Sequence, residues 1–147
     1  MKNIVGIVLM ACCLVAGLAV LTACNDKLDI QQSYDFTVET MPVPSQIVPG
    51  GTAEIRCELQ REGHFENDSY TIRYFQSSGK GSLRLDDGTV FLPNNRYPLP
   101  KEIFRLYYTS ASTDQQTIDI VVESRLGKRY DMTFNFNNDS SSGEGTE

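Results

Sequence analysis

The chain contains no tryptophan, a single histidine and only four cysteines in 147 residues. Cys12, Cys13 and Cys24 lie within or at the end of an N-terminal apolar run, which leaves Cys57 as the only cysteine of a folded domain. A lone cysteine cannot form an internal disulfide. One histidine and one cysteine also provide too few ligands for a zinc site unless carboxylates complete it. We therefore predict no disulfide, no metal and no cofactor.

Basic residues are also in short supply, with 13 Lys and Arg against 19 Asp and Glu. Lys2 is the only charged residue in 1–23, so removal of that segment leaves 12 basic and 19 acidic residues, a net charge of −7. Nucleic acids and anionic lipid headgroups both require a basic surface. The balance argues against either as the main partner.

The N-terminal apolar run ends at Leu21-Thr22-Ala23-Cys24, and polar residues follow at once. One basic residue, an apolar core and small residues before the polar boundary indicate a secretory signal. The Leu-x-Ala-Cys ending resembles the lipobox of bacterial lipoproteins, in which the cysteine is acylated and becomes the mature N-terminus. We predict a signal peptide over 1–23, lipidation of Cys24 and attachment to the cell envelope through the lipid, at the outer membrane or facing the periplasm.

Two alternatives remain for this N-terminal region. The apolar run is long enough to span a membrane, so an uncleaved signal anchor is possible. Leu9-Met10-Ala11-Cys12 also fits the lipobox loosely. Cleavage there would leave an apolar mature terminus from Leu14 to Ala23, whereas Cys24 stands at the polar boundary.

The rest of the chain shows the period-two alternation of half-buried strands rather than a helical period. After a polar spacer over 24–33, the cleanest example is Ala53, Ile55, Cys57 and Leu59, alternating with polar residues. The same alternation recurs in segments centred on Phe36, Ile72, Leu83, Leu106, Ile120 and Met132. Such spacing predicts an all-β, immunoglobulin-like antiparallel β-sandwich of seven or eight strands over 34–137, with a small barrel as the alternative.

Turn residues punctuate this pattern. Asp86-Asp87-Gly88 predicts a hairpin into Val90 and Phe91, because glycine accepts the positive φ of a tight turn. Leu126-Gly127-Lys128 predicts a turn between the last two strands. The proline-bounded stretch 93–100 is interpreted as an irregular crossing, and the Ser, Gly and acid-rich segment 138–147 as a disordered tail.

Few residues in the sequence are suited to catalysis. His64 sits in a loop beside Gly63 and Glu66, and a solvated loop histidine is the favoured interpretation. Cys57 has no basic neighbour that would activate a thiolate, so we interpret it as a small buried hydrophobe. We predict that the chain is not an enzyme, and a cell-wall enzyme is the last of the functional hypotheses.

A calcium site is conceivable at Asp86 and Asp87, with Asp114 or Asn94 nearby. The acidic residues lack the spaced ligands of known calcium loops. Turn chemistry explains the two aspartates better, because their side chains bond to the backbone two residues on.

Two aromatic residues occupy positions where a solvated strand face normally carries Thr or Lys. Phe75 and Tyr107 are these residues, and Arg73 and Arg105 lie two residues before them on the same faces. Arginine and aromatic side chains are enriched at protein interfaces. We take Arg73, Phe75, Arg105 and Tyr107 as the candidate interface, although the sequence leaves open whether the two pairs share a sheet. Alternatively, a loop covers the sheet, the arginines only pair with Glu54, Glu58 or Glu123, or the exposed rings bind sugar.

Several blocks within Leu28–Gln116 resemble the TraQ family of Bacteroidetes-type conjugative transposons. The clearest are Phe36-Thr37-Val38-Glu39-Thr40-Met41-Pro42-Val43-Pro44, Ile72-Arg73-Tyr74-Phe75-Gln76, Asp86-Asp87-Gly88-Thr89-Val90-Phe91-Leu92-Pro93-Asn94 and Phe104-Arg105-Leu106-Tyr107-Tyr108-Thr109-Ser110. The resemblance implies a part in moving a mobile element between cells beside a type IV secretion-like machine, and it supplies no catalytic residues.

Residues and resemblance together favour a lipid-anchored adaptor or scaffold whose partners are other conjugal transfer proteins of the envelope. A surface-displayed glycan-binding or cell-contact module is the alternative.

Overall fold

A computed structural model describes residues 33–64 and 67–138. These residues contain ten strands: β1 Phe36–Thr40, β2 Gln46–Ile47, β3 Thr52–Arg61, β4 Tyr70–Ser78, β5 Gly81–Leu85, β6 Val90–Phe91, β7 Tyr97–Leu99, β8 Ile103–Ser110, β9 Gln116–Ser124 and β10 Arg129–Asn138. No helix in that described part is long and apolar enough to cross a membrane. The predicted signal peptide 1–23, Cys24, the spacer up to residue 32 and the tail from residue 139 lie outside the described residues.

The strands form two sheets that pack face to face. The first sheet has the order β1-β3-β8-β5-β6 and the second the order β2-β10-β9-β4-β7. All neighbours pair antiparallel except β2, which runs parallel to the end of β10. The predicted all-β, immunoglobulin-like sandwich is confirmed.

Two of the ten strands of the described region fall where the sequence predicts none. β2 has only two residues and lies between Pro44 and Pro49, too short for alternation to reveal it. β7 lies in the stretch interpreted as an irregular crossing and contains Pro98. Because β7 is at the edge of the second sheet, no neighbouring strand on the open side requires a hydrogen bond from its proline.

The alternating apolar residues meet between the sheets as the pattern predicts. Ile55 and Leu106 of the first sheet and Ile72 and Ile120 of the second are fully buried. Aromatic pairs join the layers, with the Tyr108 and Phe136 rings stacked at 5.1 Å between centroids. Each fully buried large side chain contributes about 1.5–3 kcal/mol through the hydrophobic effect. This burial fixes which residue of each strand faces outward, and therefore fixes the two outer faces.

The predicted Asp-Gly hairpin is present between β5 and β6. Gly88 has a φ of 91°, a conformation that costs a residue with a side chain more than it costs glycine. The Asp87 Oδ1 atom accepts a hydrogen bond of 2.8 Å from the Thr89 amide, which lowers the pKa of Asp87. The described residues contain no group of three potential metal ligands, and the Asp87 carboxylate serves the turn.

The first sheet is incomplete at one edge. β1 pairs with the second half of β3, from Cys57 to Arg61. The chain then leaves the sheet through Pro42-Val43-Pro44, where Val43 packs against the core, and enters β2 of the other sheet. The first half of β3 is therefore paired only with β8 among the described strands.

Candidate functional site

The structure separates the four predicted interface residues into two pairs on opposite sides of the sandwich. Arg73 and Phe75 lie on β4 of the second sheet, and Arg105 and Tyr107 lie on β8 of the first. The inward neighbours of both pairs are buried in the shared core. They cannot form one contact patch, so each outer face is considered separately.

We call the outward side chains of the second sheet the second-sheet face: Thr71, Arg73, Phe75, Thr117, Asp119, Val121, Glu123, Arg129, Asp131, Thr133 and Asn135. The Arg73 Nη2 donates to Glu123 Oε1 at 2.8 Å, and the Arg96 Nε donates to Glu123 Oε2 at the same distance. The hydrogen bond from Arg96, together with the positive charge of Arg73, lowers the pKa of Glu123. The Arg73 side chain is only 16% exposed, and its guanidinium carbon stands 5.4 Å from the centre of the Phe75 ring.

Several other polar side chains of the second-sheet face also have hydrogen-bond partners. Asp119 accepts hydrogen bonds from Ser77 and from Thr133, and these bonds lower the pKa of the carboxyl. Thr117 bonds Asn135 at 2.8 Å. Val121 is outward-facing yet only 2% exposed, because the surrounding side chains cover it. This face has few interactions left to offer a partner.

We call the outward side chains of β3, β8, β5 and β6, with Glu39 and Met41 beside them, the first-sheet face: Glu39, Met41, Glu54, Arg56, Glu58, Arg84, Val90, Ile103, Arg105 and Tyr107. Arg56 and Arg105 are directly opposite each other in the β3–β8 register. They share one carboxylate oxygen, Glu54 Oε1, at 3.1 and 3.2 Å.

A second like-charge pair lies next to the arginines, since Glu39 is opposite Glu58 in the β1–β3 register. Like charges directly across a strand pair are destabilising. Such an arrangement is more typical of a surface that binds than of one selected for stability alone.

Apolar residues are exposed on the same face. Ile103 is 70% exposed, and Met41 and Val90 are each 59% exposed. Between Met41 and Ile103 lies a groove of about 290 Å³, lined also by Glu58, Arg56 and Arg105. Exposed apolar side chains next to arginines and an aromatic residue are the composition of a protein contact surface.

Tyr107 itself is held by a neighbouring strand. The Arg84 guanidinium carbon lies 4.2 Å from the centre of the Tyr107 ring, a cation–π contact between β5 and β8. One face of the ring is therefore occupied by the protein.

The described nucleophile and base candidates are poorly placed for catalysis. Cys57 is 3% exposed, and burial raises the pKa of its thiol to about 12, so the thiolate does not form at neutral pH. Its predicted burial is confirmed. His64 is exposed in the loop after β3.

A buried polar cluster lies between β8 and β9. Gln116 is fully buried, but its Oε1 accepts from the Tyr108 hydroxyl at 2.6 Å and its Nε2 donates to Ser110 Oγ at 2.6 Å. Because these side-chain groups are bonded inside the protein, we interpret the cluster as structural.

Arg56, Arg84, Met41 and Ile103 belong to the first-sheet face but were not among the predicted interface residues. Ile103 gave a usable signal, because it is an apolar residue at an outward position of the β8 alternation. The sequence around Arg56 gave no such signal. Its place in the candidate interface follows from the strand register, which brings it opposite Arg105, 49 residues further along the chain. The predicted pairings of the arginines with glutamates are present for Arg73 with Glu123 and for Arg105 with Glu54.

Comparison with protein families gives a match to the model of the TraQ conjugal transfer protein over residues 7–139. The chain belongs to this family. The match extends across the sandwich and ends where the acidic tail begins. A comparison with curated proteins finds no match.

Solved structures of similar proteins come from three Bacteroides species. A conjugative transposon lipoprotein of Bacteroides eggerthii is 55% identical, with a TM-score of 0.68, and the match covers 72% of this chain and 100% of that one. A lipoprotein of Bacteroides thetaiotaomicron is also 55% identical, with a TM-score of 0.67 and coverage of 84% and 99%. A conjugate transposon protein of Bacteroides vulgatus is 46% identical, with a TM-score of 0.65 and coverage of 83% and 99%.

These relatives agree with the sequence on where the protein works. This TraQ-family chain is a conjugative transposon lipoprotein, anchored by lipid at the cell envelope.

Proposed function

We propose that this chain is a non-enzymatic adaptor or scaffold that binds another envelope protein of the conjugal transfer apparatus through the first-sheet face. The attachment point is Cys24, acylated after removal of 1–23. Several acyl chains hold a protein stably at a membrane, whereas one chain alone holds it only marginally.

The observation that carries this proposal is the placement of like charges directly opposite each other on the first-sheet face. Two arginines share a single carboxylate there, beside an uncompensated glutamate pair and exposed apolar side chains. A partner that supplies a carboxylate would pair with the arginines, and apolar surface on the same partner would cover Met41 and Ile103. Such electrostatic complementarity contributes more to specificity and association rate than to affinity.

The candidate groups for chemistry support a binding role rather than a catalytic one. The Cys57 thiol is buried and protonated, and His64 is exposed in the loop after β3. Binding requires only the surface that is present.

Transfer frequency from donor cells tests the proposal. A donor without the gene should transfer poorly, and the wild-type gene should restore transfer. Arg105→Glu and Cys24→Ala should each fail to restore it, while Arg129→Glu should succeed. Arg129 is the matched control, because its side chain is 51% exposed on the second-sheet face and that of Arg105 is 52% exposed. Unchanged transfer in the deletion donor would remove the proposed function.

A glycan-binding or cell-contact module is the second candidate, because Tyr107 is an aromatic side chain on the first-sheet face. Arg84 covers one face of that ring at 4.2 Å, which leaves less of it for a sugar to stack on. A glycan array probed with the intact protein separates the two hypotheses. Binding that is lost in Tyr107→Ala would favour the glycan module.

A further inference from the structure

The first half of β3, residues 52–55, has a partner strand on one side only within the described part of the chain. We propose that this open edge receives an extended acidic segment of a partner protein, which adds as a strand to the first sheet. This inference rests on the proposed adaptor function and names how the partner docks.

The hydrogen-bond register shows which backbone groups face the open side. The Leu59 amide donates to the Glu102 carbonyl of the segment leading into β8. The backbone amides and carbonyls of the odd-numbered residues of β3 therefore point toward β8. The Arg56 carbonyl instead accepts from the Met41 amide, on the β1 side. The amides and carbonyls of Thr52 and Glu54 therefore point away from β8, along the edge that β1 leaves uncovered.

The space beside this edge is large enough for a chain. A groove of about 400 Å³ lies there, lined by Thr52, Ala53, Glu54 and Arg56 on the strand side and by Met41, Pro42 and Pro44 on the other. Proline has no amide hydrogen, so the crossing segment is poorly suited to pair with β3 itself. Exposed strand edges with unpaired amides and carbonyls are templates for an added strand.

Charge decides the chemistry of the occupant. Arg56 stands on β3 at the end of the open edge, and Arg105 is opposite it on β8; each is about half exposed, and both bind the single Glu54 carboxylate. An added strand with an acidic residue at the end nearest Met41 gives the second arginine a partner. Arginine pairs well with carboxylates because its guanidinium donates in a fixed fork.

The experiment uses the full acylated chain in detergent micelles and a fluorescently labelled, acetylated strand peptide, Glu-Val-Thr-Val-Thr. Binding is measured by anisotropy, with the same peptide carrying Lys in place of Glu as the charge control. Arg56→Glu and Arg105→Glu should each weaken binding by up to about fivefold, the upper end of the range for the loss of one exposed ion pair. The lysine peptide should bind more weakly than the glutamate peptide to the wild type.

A matched pair of variants separates the effect of the backbone amide from the effect of the side chain. Both Glu54→Ala and Glu54→Pro remove the carboxylate, but only the proline removes the amide that faces the open edge. We expect Glu54→Ala to bind the peptide at least as tightly as the wild type and Glu54→Pro to bind it more weakly. Should Glu54→Pro fail to fold by circular dichroism, Thr52→Ala and Thr52→Pro make the same comparison at the neighbouring outward amide.

Equal binding by the alanine and proline variants would overturn the proposal, as would equal binding of the two peptides. Peptide binding that appears only after deletion of 139–147 would make the chain's own acidic segment the occupant. A dimer that Glu54→Pro converts to monomer would make a second copy the occupant. Either result would contradict the proposal that a partner protein occupies the open edge.

The transfer assay separates this inference from the proposed function. Donors carrying Glu54→Pro should transfer less than donors carrying Glu54→Ala. If the two transfer equally while Arg105→Glu abolishes transfer, the strand-addition edge is wrong and the adaptor function stands. If deletion of the gene leaves transfer unchanged while the peptide still binds at the edge, the edge stands and the adaptor function is wrong.

Discussion

The two outer faces of the sandwich are built from the same kinds of residue, and they use them differently. On the second-sheet face Arg73 and Arg96 share Glu123, so one carboxylate offers each guanidinium its own oxygen at 2.8 Å. On the first-sheet face Arg56 and Arg105 converge on a single oxygen of Glu54. The Arg73 side chain is 16% exposed, whereas that of Arg105 is 52% exposed.

Residue type alone therefore does not mark an interface. Arg73 with Phe75 and Arg105 with Tyr107 look alike in the sequence, but the first pair is enclosed in a network that stabilises its own sheet. The second pair lies beside exposed apolar side chains, and its arginine is directly opposite another arginine in the β3–β8 register. The pairing state of the charges, not their presence, distinguishes a structural face from a binding face.

The largest expected effect is on stability at the second-sheet face. Arg73→Ala should lower the free energy of unfolding by about 2 kcal/mol, because it removes a partly buried, charge-assisted hydrogen bond. Urea denaturation monitored by circular dichroism measures the change. A loss no larger than that of Arg105→Ala would erase the distinction between the faces.

Cys57 lies beneath the groove of the first-sheet face. Its replacement tests whether the function of that face requires the thiol group. Cys57→Ala should cost about 1–2 kcal/mol of stability, as small core truncations do, and should leave transfer frequency unchanged. The native thiol should also resist alkylation, because it is 3% exposed and its pKa is raised to about 12. Rapid alkylation of the folded protein would contradict this burial.

Acidification should weaken the interactions of the second-sheet face. Folding lowers the pKa of Asp119 and of Glu123, so their contribution to stability is complete above the ordinary carboxyl pKa values and is lost as the pH falls through the lower folded values. Unfolding free energy should therefore decrease on acidification. Glu123→Gln should flatten this decrease in urea titrations at successive pH values, and a decrease as steep as that of the wild type would contradict this role of Glu123.

The smallest effect is expected from removing one of the opposed arginines. Arg105→Thr should change the unfolding free energy by less than about 0.5 kcal/mol, since the lost exposed ion pair is offset by relief of the repulsion from Arg56. Thermal melts of this variant beside Arg73→Ala give the comparison. A destabilisation as large as that of Arg73→Ala would show that the first-sheet face is also structural.

Much of the fold could be predicted because it depends on local alternation. Ile55, Ile72, Leu106 and Ile120 are buried as their patterns indicate, and Gly88 forms the predicted hairpin turn. The short strands β2 and β7 could not be predicted, because two or three residues beside prolines are too few to show an alternation of apolar and polar side chains. The spatial pairing of strands decides such segments.

The candidate site was predictable only in part. The sequence showed arginines and aromatics on outward positions, but it could not place Arg73 and Arg105 on different sheets or bring Arg56 opposite Arg105. Those relations depend on strand order and register between distant segments. The open edge of β3 was likewise invisible, because it results from the point at which β1 stops pairing.

The most direct test places a photo-cross-linking benzoylphenylalanine at Tyr107 or at Phe75 in the full chain within donor cells. Both positions are half-buried aromatics on outer faces, so each serves as the control for the other. We expect an adduct with another conjugal transfer protein from position 107 and none from position 75. An adduct from position 75 alone, or from neither while transfer still depends on the gene, would contradict the assignment of the first-sheet face as the binding surface.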